Sequence, residues 1–397
     1  EPMKNIFKIS LCLLFISALS VHAESRLSVV KTANKTSITV NSFTGGNPQI
    51  AKILTDTLID DLNINGLFDV KTLGNSEAIF TGSCTVSGKS VTAQGNVSVR
   101  GQSVLGESAT GDADPGKVRR VAHKLADAIV QKLKNEPGIA STKVAFVSRK
   151  TGSKEIYVMD YDGYNAVRLT NDRAICGSPA MSRDGSKIAF TSYKSGFPDV
   201  YVQSIKGGTR TRVAAFGGLN SGAAFSPDGG ELALTLSKDG NPELYTCSAG
   251  GGGFSRLTET RGAEACPTWS PDGSKIAYAF DGPGLPQIYV IGSGGGTGRA
   301  LTNSGYNTEP SWAPVTGFIA FTRRAGDGFN ILAMNSDGSQ VTTYASGERP
   351  SWSPDGRHLI YARGGGLYIL DVGSGRSIQL RSDLGNCSEP SWSGLIQ

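Results

Sequence analysis

Catalysis needs a side chain that can be activated, and this 397-residue sequence supplies few. No serine sits in a G-x-S-x-G elbow, the turn that exposes a hydrolase nucleophile. Three histidines occur: His22 in an apolar leader, His123 in a helical stretch and His358 beside Leu359-Ile360-Tyr361. Neither His123 nor His358 has an obvious catalytic partner. We expect His123 on a helix surface or at a domain contact, and His358 as a strand residue facing solvent. The glycine runs at 250–253 and 294–296 lack the Lys-Ser/Thr of a phosphate loop. No C-x-x-C pair marks a zinc site. The expectation is therefore a binding protein, not an enzyme, with no metal or cofactor.

The residues that could recognise a partner emerge from a repeat. Bulky anchors Met181, Phe225, Trp269, Trp312, Trp352 and Trp392 recur 44, 44, 43, 40 and 40 residues apart, the spacing of one propeller blade per repeat. Three positions before each anchor stand Ser178, Gly222, Cys266, Glu309, Arg349 and Glu389, which such a fold would arrange around its axis. Glu309, Arg349 and Glu389, with Ser178, would stand at one mouth of the central channel, able to bind a partner's charged or polar loop. Two other readings are open: the charges pair with one another, or calcium lies between the carboxylates. Cys176 and Cys387 share the position five before their anchors, which makes them a disulfide candidate, with buried free thiols as the alternative.

Each repeat has an anchor strand, a turn, an apolar strand, a tyrosine-rich strand and a strand ending near Arg-Leu-Thr. Residues 267–302 show it whole. Asp184-Gly185, Asp228-Gly229, Asp272-Gly273 and Asp355-Gly356 are expected as tight two-residue hairpin turns. Residues 143–170 supply three strands without an anchor strand, and Glu389–Ser393 is an anchor strand without followers. The two ends should complete one blade and close the ring, removing exposed strand edges.

Residues 24–138 lack the repeat. Pro48–Leu62 reads as a helix with Ile50, Ile53, Leu54, Leu58 and Leu62 on one face and Asn65-Gly66 as its end. A second helix is expected over Pro115–Leu133, with Val118, Val121, Leu125, Ile129 and Leu133 as its stripe. Strand-like stretches such as Val91–Arg100 lie between them, and Asn135–Gly138 reads as a linker. The fold class is mixed: a small N-terminal α/β domain over 24–138, then an all-β six-bladed β-propeller over 139–397. Residues 1–23, with Lys4 and Lys8 before an apolar run ending in Val21-His22-Ala23, read as a cleavable signal peptide. That run is too short to span a membrane. The net charge of +5 includes those two lysines, and the remaining Lys and Arg are scattered, which argues against nucleic acid as a partner. With 52 glycines and only 18% charged residues, the composition favours tight turns.

Residues 118–129 followed by Glu136-Pro137-Gly138 and Lys143–Val147, and the blade stretch Glu155–Asp160 with Arg168-Leu169-Thr170, resemble the TolB family of propeller proteins of the Tol-Pal envelope system. Ser37–Val70, with Phe43–Gly46 and Asn65–Phe68, resembles the front domain of that family. The resemblance implies a periplasmic, monomeric protein-binding scaffold that links inner-membrane Tol proteins to peptidoglycan-associated lipoprotein in envelope integrity and cell division. It implies that the lipoprotein, and colicin peptides, are received at the channel. It also implies that the mature N-terminus, Glu24, Ser25, Arg26, Leu27, Ser28 and Val29 with the residues up to Thr36, pairs as a strand with TolA. A disordered leader or an added edge strand is the alternative for that segment. The chain departs from the family pattern at Gly138–Ser141, Met181, Phe225 and Ala313–Gly317. A propeller enzyme (a divergent peptidase or glycosidase) or a secreted ligand-binding propeller is the other functional reading.

Overall fold

The computed structural model describes residues 35–282 and 284–395. Residues 1–23, read above as a signal peptide, and Glu24–Val29 lie outside the described residues. Helix α1 (Pro48–Asn65) starts where the Asn47 side chain accepts the Gln49 amide, with Pro48 fitted to the first turn. It buries Ile50, Leu54, Leu58 and Leu62 and stops at Gly66, whose φ of 76° suits a left-handed cap. Helix α2 (Arg119–Lys134) begins four residues later than the expected start at Pro115. Asp114 holds Pro115–Val118 in a turn, its carbonyl accepting the Lys117 and Val118 amides and its side chain the Gly116 amide.

Both helices pack on a five-stranded sheet of order β2-β1-β3-β4-β5, formed by β1 (Thr36–Val40), β2 (Phe68–Lys71), β3 (Ala78–Ser87), β4 (Ser90–Val99) and β5 (Gln102–Asp112). β1 runs parallel to β2 and β3, while β3, β4 and β5 form an antiparallel meander. Alternation decides the faces: Val91, Ala93 and Val97 of β4 are buried, and Gln94 and Asn96 are exposed. The linker is pinned to α2, because Asp127 accepts the amides of Ala140 and Ser141 at 2.8 and 2.9 Å. A Cβ on Gly138 would lie 2.2 Å from the Asp127 carboxylate, so this close approach requires glycine.

Six four-stranded sheets follow. Blades one to five span 176–214, 220–256, 264–300, 307–346 and 348–379. Blade six joins Cys387–Trp392 to β6 (Lys143–Thr151), β7 (Ser153–Asp160) and β8 (Val167–Arg168), as the two incomplete ends require. Lys143 and Ser393 lock the closure reciprocally, and the Trp392 indole donates to Thr142 at 2.8 Å. The anchors are buried between blades, each contributing roughly 1.5–3 kcal/mol by burial. One apolar cluster runs from Ile38 and Leu58 through Val121 and Tyr161 to Ile369 and Trp392, so the front domain shares its core with blades five and six.

The Asp-Gly turns are longer than two residues. In the first, the Gly185 amide donates to the Ser182 carbonyl and the Ser182 amide to the Lys187 carbonyl. Only the glycine takes positive φ, 66° to 72° across the four turns. The aspartate acts through its side chain, accepting from Ser182 Oγ at 2.5 Å and from the Ser186 amide at 3.0 Å. Among the described residues no helix is long and apolar enough to cross a membrane.

Candidate protein-binding channel

The innermost strand of every blade carries a β-bulge at one position. In blade one Gly177 pairs with Thr191 and Ala180 with Ala189, so one extra residue is accommodated on the inner strand. The same shift recurs in the other five blades. The six residues predicted to form the ring lie in these bulges. Ser178, Gly222, Cys266, Glu309, Arg349 and Glu389 all have φ between 50° and 63°. For the five that are not glycine, this left-handed backbone costs roughly 1–2 kcal/mol each. All six line one cavity of about 970 Å³ along the axis. Proline follows five of them, supplying the residue type that cannot donate to a sheet ladder.

Four of the candidate residues are brought into direct contact. Arg349 Nε lies 2.8 Å from Glu309 Oε1, and Arg349 Nη1 lies 3.2 Å from Glu389 Oε2. Glu389 Oε2 also accepts the Ser178 amide at 2.7 Å, and Lys154 Nζ stands 3.6 Å from its other oxygen. Thr322 Oγ1 donates to Glu309 at 2.9 Å and accepts from the Arg349 amide. Burial pushes the Glu309 carboxyl above its usual range against the pull of Arg349. Burial alone would lower the Arg349 pKa, but Glu309 and Glu389 outweigh it and hold the guanidinium more firmly protonated. The charges are therefore paired with each other, with Arg349 standing between the two carboxylates.

The other end of each innermost strand, roughly 15 Å away at ~3.3 Å per residue, is ringed by Arg183, Pro227, Pro271, Pro314, Pro354 and Gly394. Arg183 of blade one reaches across this collar to the carbonyls of Pro271 and Pro314 in blades three and four, both at 3.4 Å. Gly394 packs on the Arg183 backbone, where a Cβ would come within 1.7 Å of its carbonyl oxygen. One end of the channel is thus spanned by a side chain, and the other presents the charged bulges.

Three sequence expectations are corrected here. Cys176 and Cys387 are free, buried thiols. Cys176 Sγ faces Glu155, Asp172 and Ser192, while Cys387 Sγ faces the carbonyls of Leu384 and Gly385, so the two sulfurs have different partners and do not face each other. His358 is fully buried, not solvent-facing. Both helix and strand histidines have carboxylate partners: His123 Nδ1 is 2.8 Å from Asp61, and His358 Nδ1 is 2.8 Å from Asp355. The first pair is remote in sequence, which hid it. The in-strand prolines were a legible signal for the bulges, since proline within a strand marks an edge or a bulge.

The profile of the TolB beta propeller domain matches residues 130–396. This chain belongs to the TolB propeller family. The Tol-Pal system protein TolB of Geobacter metallireducens is 36% identical over 209 residues, covering 45% of this chain and 48% of that protein. The TolB homolog of Chlorobium chlorochromatii is 36% identical over 193 residues, covering 42% and 44%. The chain thus spans about half the length of the curated relatives it matches. The crystal structure of TolB from Acinetobacter baumannii superposes with a TM-score of 0.80 at 25% identity, covering 92% of this chain and 98% of that one. That superposition takes in the front domain as well as the TolB-type propeller.

Proposed function

We propose that this chain is a periplasmic, non-enzymatic scaffold of the Tol-Pal type, linking inner-membrane Tol proteins to peptidoglycan-associated lipoprotein in envelope integrity and cell division. The observation that carries this reading is the ring of strained, charged bulges at one end of the channel. Backbone strain concentrated at a concave site is characteristic of functional positions. A polar loop of the lipoprotein entering from that end would meet Arg349, whose side chain is 39% exposed, flanked by Glu309 and Glu389. Colicin-like peptides would use the same entrance. Glu24–Val29 is proposed to add as a strand to TolA, with backbone hydrogen bonds supplying affinity.

The test is capture from envelope extract on residues 24–397, read by mass spectrometry, beside Glu309→Gln/Glu389→Gln and Arg349→Gln variants. Recovery of a peptidoglycan-binding lipoprotein by the unaltered protein, with recovery reduced at least ~10-fold by the variants, is expected; loss of one buried charged hydrogen bond is worth about 2 kcal/mol or more. Recovery unchanged by the variants would move the site elsewhere. No such lipoprotein at all would overturn the Tol-Pal reading.

A further inference from the structure

His123 and His358 both lie in the seam between the front domain and the propeller, and both are fully buried. His358 opens the second strand of blade five (His358–Arg363). Its Nδ1 is 2.8 Å from Asp355 Oδ2, and its Nε2 is 3.2 Å from the carbonyl oxygen of Ile64. A carbonyl can only accept, and Asp355 is already an acceptor, its Oδ1 taking the Ser353 hydroxyl and the Arg357 amide. A ring with acceptors at both nitrogens must donate from both, so the geometry calls for imidazolium. Ile64 is in the last turn of α1, whose final carbonyls lack helical partners and carry partial negative charge. The propeller thus caps a front-domain helix with a cation. The other charged groups around this ring are Arg357 and Asp371, themselves paired at 3.0 Å.

His123 stands on α2 with Asp61 of α1 at Nδ1 and Asp162, which follows β7, at Nε2, 2.8 and 3.6 Å away. Its Nε2 makes no hydrogen bond. Without a proton there, a buried lone pair would face a carboxylate; with one, an N–H does. Tyr161 donates to the second oxygen of Asp61 at 2.7 Å. Arg119 holds Asp162 at 2.6 Å and lies 4.0 Å from Asp60. Asp160, paired with Lys143 and Arg120, and Asp127 complete the charged surroundings. Asp61 and Asp162 flank the ring, with Arg119 as the buried arginine on Asp162, and this favours a second cation between them.

We propose that docking of the front domain on the propeller is proton-linked, His123 and His358 each bridging the two domains as imidazolium. Burial alone would lower both pKa values, but Asp61 and Asp355 respectively raise them above the ordinary histidine value. A raised folded-state pKa gives stability that is complete below the unfolded value, about 6.5, and is lost as pH rises through the folded one. The shared apolar core is indifferent to pH, so the seam loosens without dissolving.

Histidine-ring NMR of the full chain, followed from about pH 5.5 to 9, tests this directly. The His123 and His358 resonances should both keep imidazolium shifts well above the ordinary histidine midpoint of about 6.5. Titration of both near ~6.5 would overturn the proposal. The second measurement is denaturant stability of His123→Gln/His358→Gln against its parent, both in a Glu264→Gln background to remove another pH-sensitive buried group. The deficit of the histidine variant should be greatest at about pH 6 and shrink at higher pH, up to tenfold in the unfolding constant per pH unit for each histidine. An equal deficit at both ends of the range would mean that the rings are merely packed. If the variant does not fold, the NMR titration decides alone.

Discussion

At the residue scale, two buried acids show how burial sets protonation. Glu264 opens the innermost strand of blade three beside Glu243, and both are fully buried. Arg256 lies 3.1 Å from Glu243, and Thr260 donates to Glu264 at 2.7 Å. Burial, then the charge of Glu243, pushes the Glu264 carboxyl up to about 7. A raised acid favours its protonated form, so its contribution to stability is lost as pH climbs from the ordinary glutamate range through about 7. Glu264→Gln keeps the shape and cannot ionise. It should raise the unfolding free energy by about 1–3 kcal/mol at about pH 8 and by little at about pH 5. Denaturant midpoints at the two pH values check this, and a gap that does not widen with pH would refute it.

At the element scale, the blades are stitched by hydroxyls one residue before the anchors. Thr268, Ser311, Ser351 and Ser391 accept the backbone amides of Trp312, Trp352, Trp392 and Met181 in the next blade, at 2.9–3.4 Å. Ala180 and Ala224 occupy the remaining two positions and have no hydroxyl. The junction of blades two and three is compensated by the Trp269 indole, which donates to the Ala224 carbonyl at 3.1 Å. Between blades one and two, Phe225 offers no such donor. Ala180→Ser should supply an acceptor for the Phe225 amide and stabilise the protein by about 0.5–1 kcal/mol, measured as a higher urea midpoint at unchanged m. A lower midpoint would show that this junction has no room for the hydroxyl.

At the scale of the whole molecule, the C-terminal strand carries the closure. Chain ending at Gly385 would leave β6 as an open edge and remove Trp392, which fills the seam with Tyr161 and Thr142. The loss of a four-stranded blade's inner strand also breaks the hydroxyl stitching at Ser391 and the Ser178–Glu389 contact. Such a truncation should abolish the single cooperative unfolding transition and expose an aggregation-prone edge. Calorimetry and light scattering would read both, and a sharp transition retained by the truncated chain would refute the closure argument.

Much of this was legible in the residues. The 40- to 44-residue period, the anchors and the incomplete ends determined blade number and closure, because each blade must bury its strands against the next. Ile50, Leu54, Leu58 and Leu62 determined α1 by helical spacing, and the shared offset of Ser178, Glu309, Arg349 and Glu389 placed them in one ring. Tertiary structure alone decided what those residues do there. Whether Arg349 meets a partner, an ion or its own neighbours depends on ångström distances around the axis, and repeat spacing carries no such information. The same holds for His123 with Asp61 and His358 with Ile64, pairs 62 and 294 residues apart. Sequence periodicity reports which face of an element is buried, whereas a buried charge is defined by what another element brings against it.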